Sequence, residues 1–304
     1  MTDPRELFQI DREAVARAFD RASASYDSAA TLQERVRSEL LARLDELRVS
    51  PRTVLDLGAG TGHATRALKR RFPQSLTVAA DIAPGMLTRA SAQSRWFRRF
   101  ERVRADAYSL PFRDQSFDLV FSSLMLQWCD DLDAVFTEIG RVLNPGGLLL
   151  FSTFGPGTLA ELREAWAAGD WALGGARDRA TNHVNHFFDP HALGSALMHA
   201  GFTEPVLDVD RIVVGYTDTM ALMRELKAIG AHNVTRGRAR GLTGRRRLAA
   251  MTRAYESQRR DALLPATYEV IHAISWGGER RAAMDDMPGE TFIAPQSIRR
   301  RKPM

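Results

Sequence analysis

The run Thr53-Val54-Leu55-Asp56-Leu57-Gly58-Ala59-Gly60-Thr61-Gly62 decides the fold. Its first five residues have the composition of a short buried strand, broken only by Asp56. The glycines that follow allow positive φ and let a ligand approach the backbone closely. Ala64, Leu68 and Phe72 then recur on one side of a helix that Pro73 ends. Strand, glycine loop and helix in this order open a doubly wound sheet, whose ligands bind beyond the carboxyl ends of the strands. The loop reads G-x-G-x-G, whereas a dinucleotide site expects G-x-G-x-x-G. Spacing alone leaves both kinds of ligand open.

Working outward, strands and helices keep alternating. Residues 76–80 read as a strand closing on Asp81, and Pro84 suits the first turn of the next helix. A third strand ends at residues 103–106 and a fourth covers 117–122. Leu132, Val135, Phe136, Ile139, Val142 and Leu143 form an apolar stripe at helical spacing. Asn144-Pro145-Gly146-Gly147 is expected to stop that helix before a fifth strand over 148–154. Such alternation implies a parallel sheet with helices on both faces.

The flanks are less regular. Residues 7–47 read as helical with a break at 19–27. Downstream, helices are expected over 159–168, 190–200, 218–229 and 247–263. Loops are expected over 169–182 and 236–247. Strands at 206–216 and 268–276 should join the sheet as an antiparallel edge.

Two carboxylates stand at strand ends. Asp81 lies 19 residues after Gly62, where a carboxylate accepts hydrogen bonds from both ribose hydroxyls; capping the helix opened by Pro84 is its other reading. Asp106 follows the third strand and can accept from an adenine amino group.

The bulk composition suits an ordinary soluble globular protein: 304 residues, 44% hydrophobic and 26% charged. No apolar run has the length of a membrane span. Asp3, Glu6, Asp11 and Glu13 give the N-terminus neither signal-peptide nor transit-peptide character. Cys129 is the one cysteine, so no internal disulfide or thiolate metal cluster can form, and cytoplasmic localisation is the expectation. The net charge of +5 and the arginine clusters suit an acidic partner; no aromatic-and-basic nucleic-acid module accompanies them.

Residues 56–62, Asp81, Asp106, Phe117-Asp118 and Pro145-Gly146-Gly147 together resemble the class I S-adenosylmethionine methyltransferases, over residues 52–154. The resemblance implies an α/β, Rossmann-like, seven-stranded sheet and S-adenosylmethionine as cofactor. Gly58, Gly60 and Gly62 would pass under the methionine part, with Asp56 and Ala59 beside them. Asp81 with Ile82 and Met86 would take the ribose, and Asp106 with Ala107 the adenine edge. Leu124 and Gln127 would border the reacting methyl.

Residues 19–33 resemble the N-terminal lid of several small-molecule methyltransferases, with Tyr26 and Gln33 over the cofactor. Residues 124–129, 226–233 and 264–269 resemble the malonyl-acyl-carrier-protein O-methyltransferases that prime pimeloyl synthesis for biotin. The division that follows is a lid over 1–50, a methyltransferase domain over 51–276 and a mobile tail over 277–304. Within the domain the core is 52–154, and cap and substrate elements fill 155–267.

The implied chemistry is undemanding in acid–base terms. A malonyl carboxylate, with an ordinary pKa near ~4, is already ionised at neutral pH and needs no general base. It needs a dry, well-aligned site and a cation that orients one oxygen while the other attacks. Candidates are Lys227, His232 and His183, with His186 and Arg236 behind them. His183 and His186 lack a third ligand at metal-site spacing. Acyl carrier protein is acidic, so Arg236, Arg238, Arg240, Arg245, Arg246 and Arg247 form the expected docking face. A methyltransferase for a quinone precursor or small acid, a non-methylating respiratory-complex assembly factor and a nicotinamide-dependent dehydrogenase remain open as other readings.

Overall fold

The computed structural model describes residues 9–94, 98–172, 183–238 and 243–278. Seven strands form one sheet: β1 (Thr53–Leu57), β2 (Leu76–Asp81), β3 (Glu101–Arg104), β4 (Phe117–Ser123), β5 (Leu143–Phe154), β6 (Phe202–Tyr216) and β7 (Leu264–Gly277). Their spatial order is β3-β2-β1-β4-β5-β7-β6. The first five run parallel, and β7 enters antiparallel between β5 and β6. The antiparallel edge expected of the last two strands is thus present, with β7 as the inner member.

Strand side chains alternate between faces, so the sheet has two cores. Leu55, Leu57, Val120, Leu149 and Phe151 face the side covered by α6 (Leu132–Val142) and α8 (Pro190–His199). Val54, Leu119, Phe121, Leu148 and Leu150 face α3 (Thr31–Glu46) and α4 (His63–Arg71), meeting Leu40, Leu44 and Leu68. Each such buried side chain contributes about 1.5–3 kcal/mol. The fixed spacing of these faces is what holds the loops at the strand ends in place.

Asp118, at the start of β4, ties three strands together. Its Oδ2 accepts from the Arg52 and Thr53 N–H groups at 2.8 and 3.1 Å, and its Oδ1 from the Asn144 amide at 2.7 Å. That bond helps explain a shifted boundary. β5 starts at Leu143, which pairs with Phe117, and the Asn144–Gly147 segment lies in an irregularity of the β4–β5 ladder rather than ahead of the strand.

A third apolar cluster lies beyond the parallel half. α7 (Ala160–Ala172), α9 (Thr219–Ala228) and α10 (Arg245–Glu256) pack with β6 and β7 through Trp166, Leu222, Met251, Tyr255 and Tyr268. Here two expectations are corrected. α7 runs through Gly169, because a side chain there would meet the Met251 backbone nitrogen of α10 at 2.8 Å. Glycine at this point permits helix–helix contact rather than a loop. α10 covers Arg245–Glu256 rather than 247–263, and the chain returns to the sheet at Leu264, where β7 pairs with Tyr216.

The helical N-terminal segment forms α1 (Arg12–Ala22), a single turn α2 (Tyr26–Ala29) and α3, breaking around Ser23–Ser25 and again at Ala30. Asp11 caps α1 by accepting from Ala14 N–H at 2.9 Å. Helix α5 (Pro84–Ser91) follows β2 and packs against α1. None of the described helices is long and apolar enough to cross a membrane. Residues 279–304, including the basic run at 299–302, lie outside the described residues, as do Asn182 and Arg240.

Candidate active site

Two cavities meet at the carboxyl ends of the parallel strands. The smaller has a volume of about 90 Å³ and is walled by Gly58, Gly60, Asp81, Ile82, Met86, Asp106 and Ala107 among others. The larger, about 1040 Å³, extends between α1, α7 and α9 to β7. Phe19, Tyr26, Leu124 and Trp128 line both, and form the seam between them.

The small cavity is built from backbone geometry and two carboxylates. Gly58, Gly60 and Gly62 all have positive φ. A side chain at Gly58 would collide with Met125 at 2.5 Å and one at Gly62 with Ala90 at 2.8 Å, whereas Gly60 has nothing within 4 Å. Gly60 is thus the loop residue that presents open backbone to the cavity. Asp81 Oδ2 accepts from its N–H at 2.8 Å, and Oδ1 from Ala83 N–H at 2.8 Å. Burial pushes the Asp81 carboxyl up, and these backbone donors oppose it. Asp106 Oδ2 lies 3.0 Å from Arg12 Nη1 of α1, and the Arg12 guanidinium sits 4.6 Å over the Tyr108 ring. Cys129, also in this wall, is inert as a nucleophile because burial pushes its thiol up to about 12.

Asp56 and Gly62 belong to the support rather than the wall. Thr65 Oγ1 donates to Asp56 Oδ2 at 2.5 Å, and burial pushes that carboxyl up to about 7. Gly62 precedes α4, packed on Ala90. Ala59 is likewise absent from the wall, its N–H donating to Ala80 O.

The seam is built from four aromatic or strained groups. The Phe19 ring packs edge-on to Trp128 at 5.1 Å and lies 6.4 Å from Tyr26. Burial, then the negative charge of Asp81, pushes the Tyr26 hydroxyl up to about 12, so it stays protonated and can donate. Leu124 holds a φ of 51°, a strained value for a branched residue, and its carbonyl accepts from Gln127 Nε2 at 2.6 Å. Gln127 and Gln33 line the larger cavity.

The sequence did not single out what fastens α1 and α2 above the glycine loop. Asp27 accepts from Thr61 Oγ1 at 2.6 Å and lies 3.4 Å from His63 Nε2. Asp20 accepts from Gly85 N–H at 2.6 Å. The only local signal is acidic residues facing a small-residue break; their partners stand 34 and 65 positions away.

Among the candidate cations, Lys227, His232 and His183 line the larger cavity, whereas His186 and Arg236 do not. His183 stacks on Trp166 at 4.0 Å, and its Nε2 lies 3.1 Å from Asp170 Oδ2. Burial pushes its imidazole below the usual range, and Asp170 opposes this. Arg247 Nε lies 2.8 Å from Asp170 Oδ1, so this member of the arginine group is turned inward. Arg236, Arg245 and Arg246 are exposed.

A glycine-rich loop after β1, carboxylates beyond the next two strands and an antiparallel β7 beside β5 define a class I methyltransferase. Residues 55–151 match the family described as a methyltransferase domain. The YcgJ protein of Bacillus subtilis shares the fold, with a TM-score of 0.56 at 16% identity over 80% of this chain and 99% of that one. The malonyl-[acyl-carrier protein] O-methyltransferase of Methylovorus sp. (strain MP688) is 48% identical over 287 residues, 92% of this chain and 94% of that protein. Its counterpart in Halorhodospira halophila (strain DSM 244 / SL1) is 44% identical over 303 residues, 99% of each. The chain belongs to the malonyl-[acyl-carrier protein] O-methyltransferase family, and S-adenosylmethionine is its methyl donor.

Proposed function

We propose that this protein transfers the S-adenosylmethionine methyl group to the free carboxylate of malonyl-acyl carrier protein, the step that opens the pimeloyl chain of biotin. The observation that carries the reading is the seam. A small cavity of bare backbone and carboxylates suits an adenosyl cofactor, a large one of mainly apolar wall suits an acyl arm, and Tyr26, Leu124, Phe19 and Trp128 belong to both. The methyl passes across that boundary.

Asp81, which accepts from Gly60 N–H here, would hold the ribose hydroxyls, and Asp106, which faces Arg12, would hold the adenine edge. Gly60 lets the methionine part cross close to the backbone. When bound, the cofactor supplies an electrophilic methyl on a sulfonium. One carboxylate oxygen forms the new O–CH₃ bond as the C–S bond breaks, and the electron pair stays on sulfur. No proton moves, so no general base is needed. The chain's contribution is alignment and exclusion of water from the attacking oxygen. Phe19, Trp128, Phe154 and Leu159 supply the dry wall, and Tyr26 and Gln33 supply neutral donors. Residues 9–47 serve as the lid, closing through Asp27 onto the glycine loop. Arg236, Arg245 and Arg246 offer the acidic carrier protein its docking face.

The test is transfer of labelled methyl from S-adenosylmethionine to malonyl-acyl carrier protein, paired with rescue of a biotin-requiring strain that lacks this step. Product formation and growth with the wild-type chain, and neither with Asp81→Ala, are expected. Absence of methyl transfer by folded wild-type protein would reject the reading.

A further inference from the structure

The larger cavity has an unbalanced rim. Arg21, Arg224, Lys227 and His232 line it, and no aspartate or glutamate among the described residues does. All four are exposed. No carboxylate among the described residues lies within ion-pair distance of Arg21 or Lys227, and Arg224 reaches Asp218 only at 4.0 Å. These groups come from two elements pressed together: the cations Arg21, from the last turn of α1, and Lys227, from the last turn of α9, with the His232 imidazole just beyond it.

The junction between them is close. Ser25 Oγ donates to Ala228 O at 2.8 Å, and a side chain at Gly230 would approach Ala22 Cβ to 3.1 Å. Arg238 adds its charge from behind, held by the Thr235 carbonyl at 2.9 Å. His232 registers the crowding: partial desolvation first, then Arg21, Arg238 and Lys227, push its imidazole below the usual range, so it stands beside the cations as a neutral hydrogen-bonding group. Like charges gathered at a cavity mouth without counter-charge fit an anionic ligand.

The substrate of the proposed reaction carries two anions, a terminal carboxylate and the phosphodiester of the carrier's prosthetic arm. The attacking carboxylate must be dehydrated. Exposed cations at a rim leave it wet, and the seam that receives the methyl is lined by aromatic and neutral polar groups instead. The apolar stretch beside the cations, with Met223, Leu226 and the buried Leu162, suits the uncharged part of an arm. We infer that Arg21, Lys227 and His232, supported by Arg224 and Arg238, form a subsite for the phosphodiester of the carrier's arm. The inference rests on the proposed reaction. It makes Arg21 and Lys227 binding residues for the arm rather than for the carboxylate.

The experiment compares malonyl-pantetheine, which lacks the phosphate, with malonyl-phosphopantetheine, in the full-length wild-type protein and in Arg21→Gln/Lys227→Gln. The quantity read is the ratio of the two kcat/KM values within each protein, so losses common to both substrates cancel. The phosphate should raise kcat/KM about 30-fold in the wild type, through KM, and less than about 3-fold in the variant. No gain in the wild type, or a gain that survives in the variant, overturns the inference. So does a variant that loses turnover of the phosphate-free thioester by the same factor, which would place the cations on the carboxylate. If the wild type methylates neither thioester, the proposed reaction fails. Calorimetric binding of acetyl-phosphopantetheine against acetyl-pantetheine then reads the same ratio, where equal affinities overturn the subsite and a preference lost in the variant supports it.

Discussion

The two cavities that share the seam are made differently. The one of about 90 Å³ is walled chiefly by loops that leave parallel strands, roofed by Arg12, Val15, Phe19 and Tyr26 of the N-terminal helices. The one of about 1040 Å³ is assembled from α1, α7, α9 and β7, with an aromatic and aliphatic wall and cations at its mouth. The first depends on the strand-end loops and on the α1 and α2 side chains that close over them. The second depends on packing among segments far apart in the chain. Away from the shared seam, perturbations of one should therefore leave the other's ligand little affected, and four variants probe that separation.

The largest effect is expected at Asp81. Asp81→Ala removes the acceptor for two charge-assisted hydrogen bonds, so calorimetric affinity for S-adenosylmethionine should fall about a thousandfold. A loss under about threefold would break the assignment of the small cavity.

Asp56 sharpens the same side through pH. Its carboxyl rises from 3.8 to about 7 in the folded protein. Between those values the folded state holds a proton that the unfolded chain has lost. The stability from this group is therefore complete below the unfolded value and disappears as pH rises through the folded one. Asp56→Asn, which keeps an acceptor for Thr65, should exceed the wild type in stability at pH 8 by on the order of 3 kcal/mol. The gap should close toward pH 4. Parallel Tm curves for the two proteins would contradict this.

On the other side, Gly169→Ala forces α7 away from the Met251 backbone. Overpacking of this kind should cost about 2 kcal/mol and raise KM for the malonyl substrate, with cofactor affinity unchanged. Equal damage to both ligands would show that the two halves are not separable.

The smallest effect is expected on the outer face. Arg245→Glu/Arg246→Glu should slow turnover of malonyl-acyl carrier protein by several-fold, about 3–10, and flatten its salt dependence. Unchanged kinetics would remove that face from the docking surface.

What could be read in advance follows the same division. Residues 53–62, Asp81 and Asp106 announce themselves because each sits within a few residues of the strand that positions it. The continuation of α7 through Gly169 could not be read, since composition marks glycine as a break and only the distant Met251 makes it a contact. The place of the Asn144–Gly147 segment is hidden for a related reason: Asn144 bonds to Asp118 and the adjoining Leu143 pairs with Phe117, more than twenty positions upstream. Arg12 and Arg21 look like the ordinary charged positions of an amphipathic helix. Their significance comes from Asp106, which the sheet delivers beside Arg12, and from Lys227, which α9 delivers to the cavity that Arg21 lines.

The excursion from Tyr216 to Leu264 leaves one edge strand and returns on its antiparallel neighbour. Both ends are therefore anchored in one antiparallel ladder, which pairs regularly from Val206 with Ile274 to Tyr216 with Leu264. The intervening 217–263 stretch can be regarded as an exchangeable cassette, free to diverge under selection for a new acceptor. A chimaera that swaps this segment for that of another methyltransferase should keep its methyl donor while changing what it methylates.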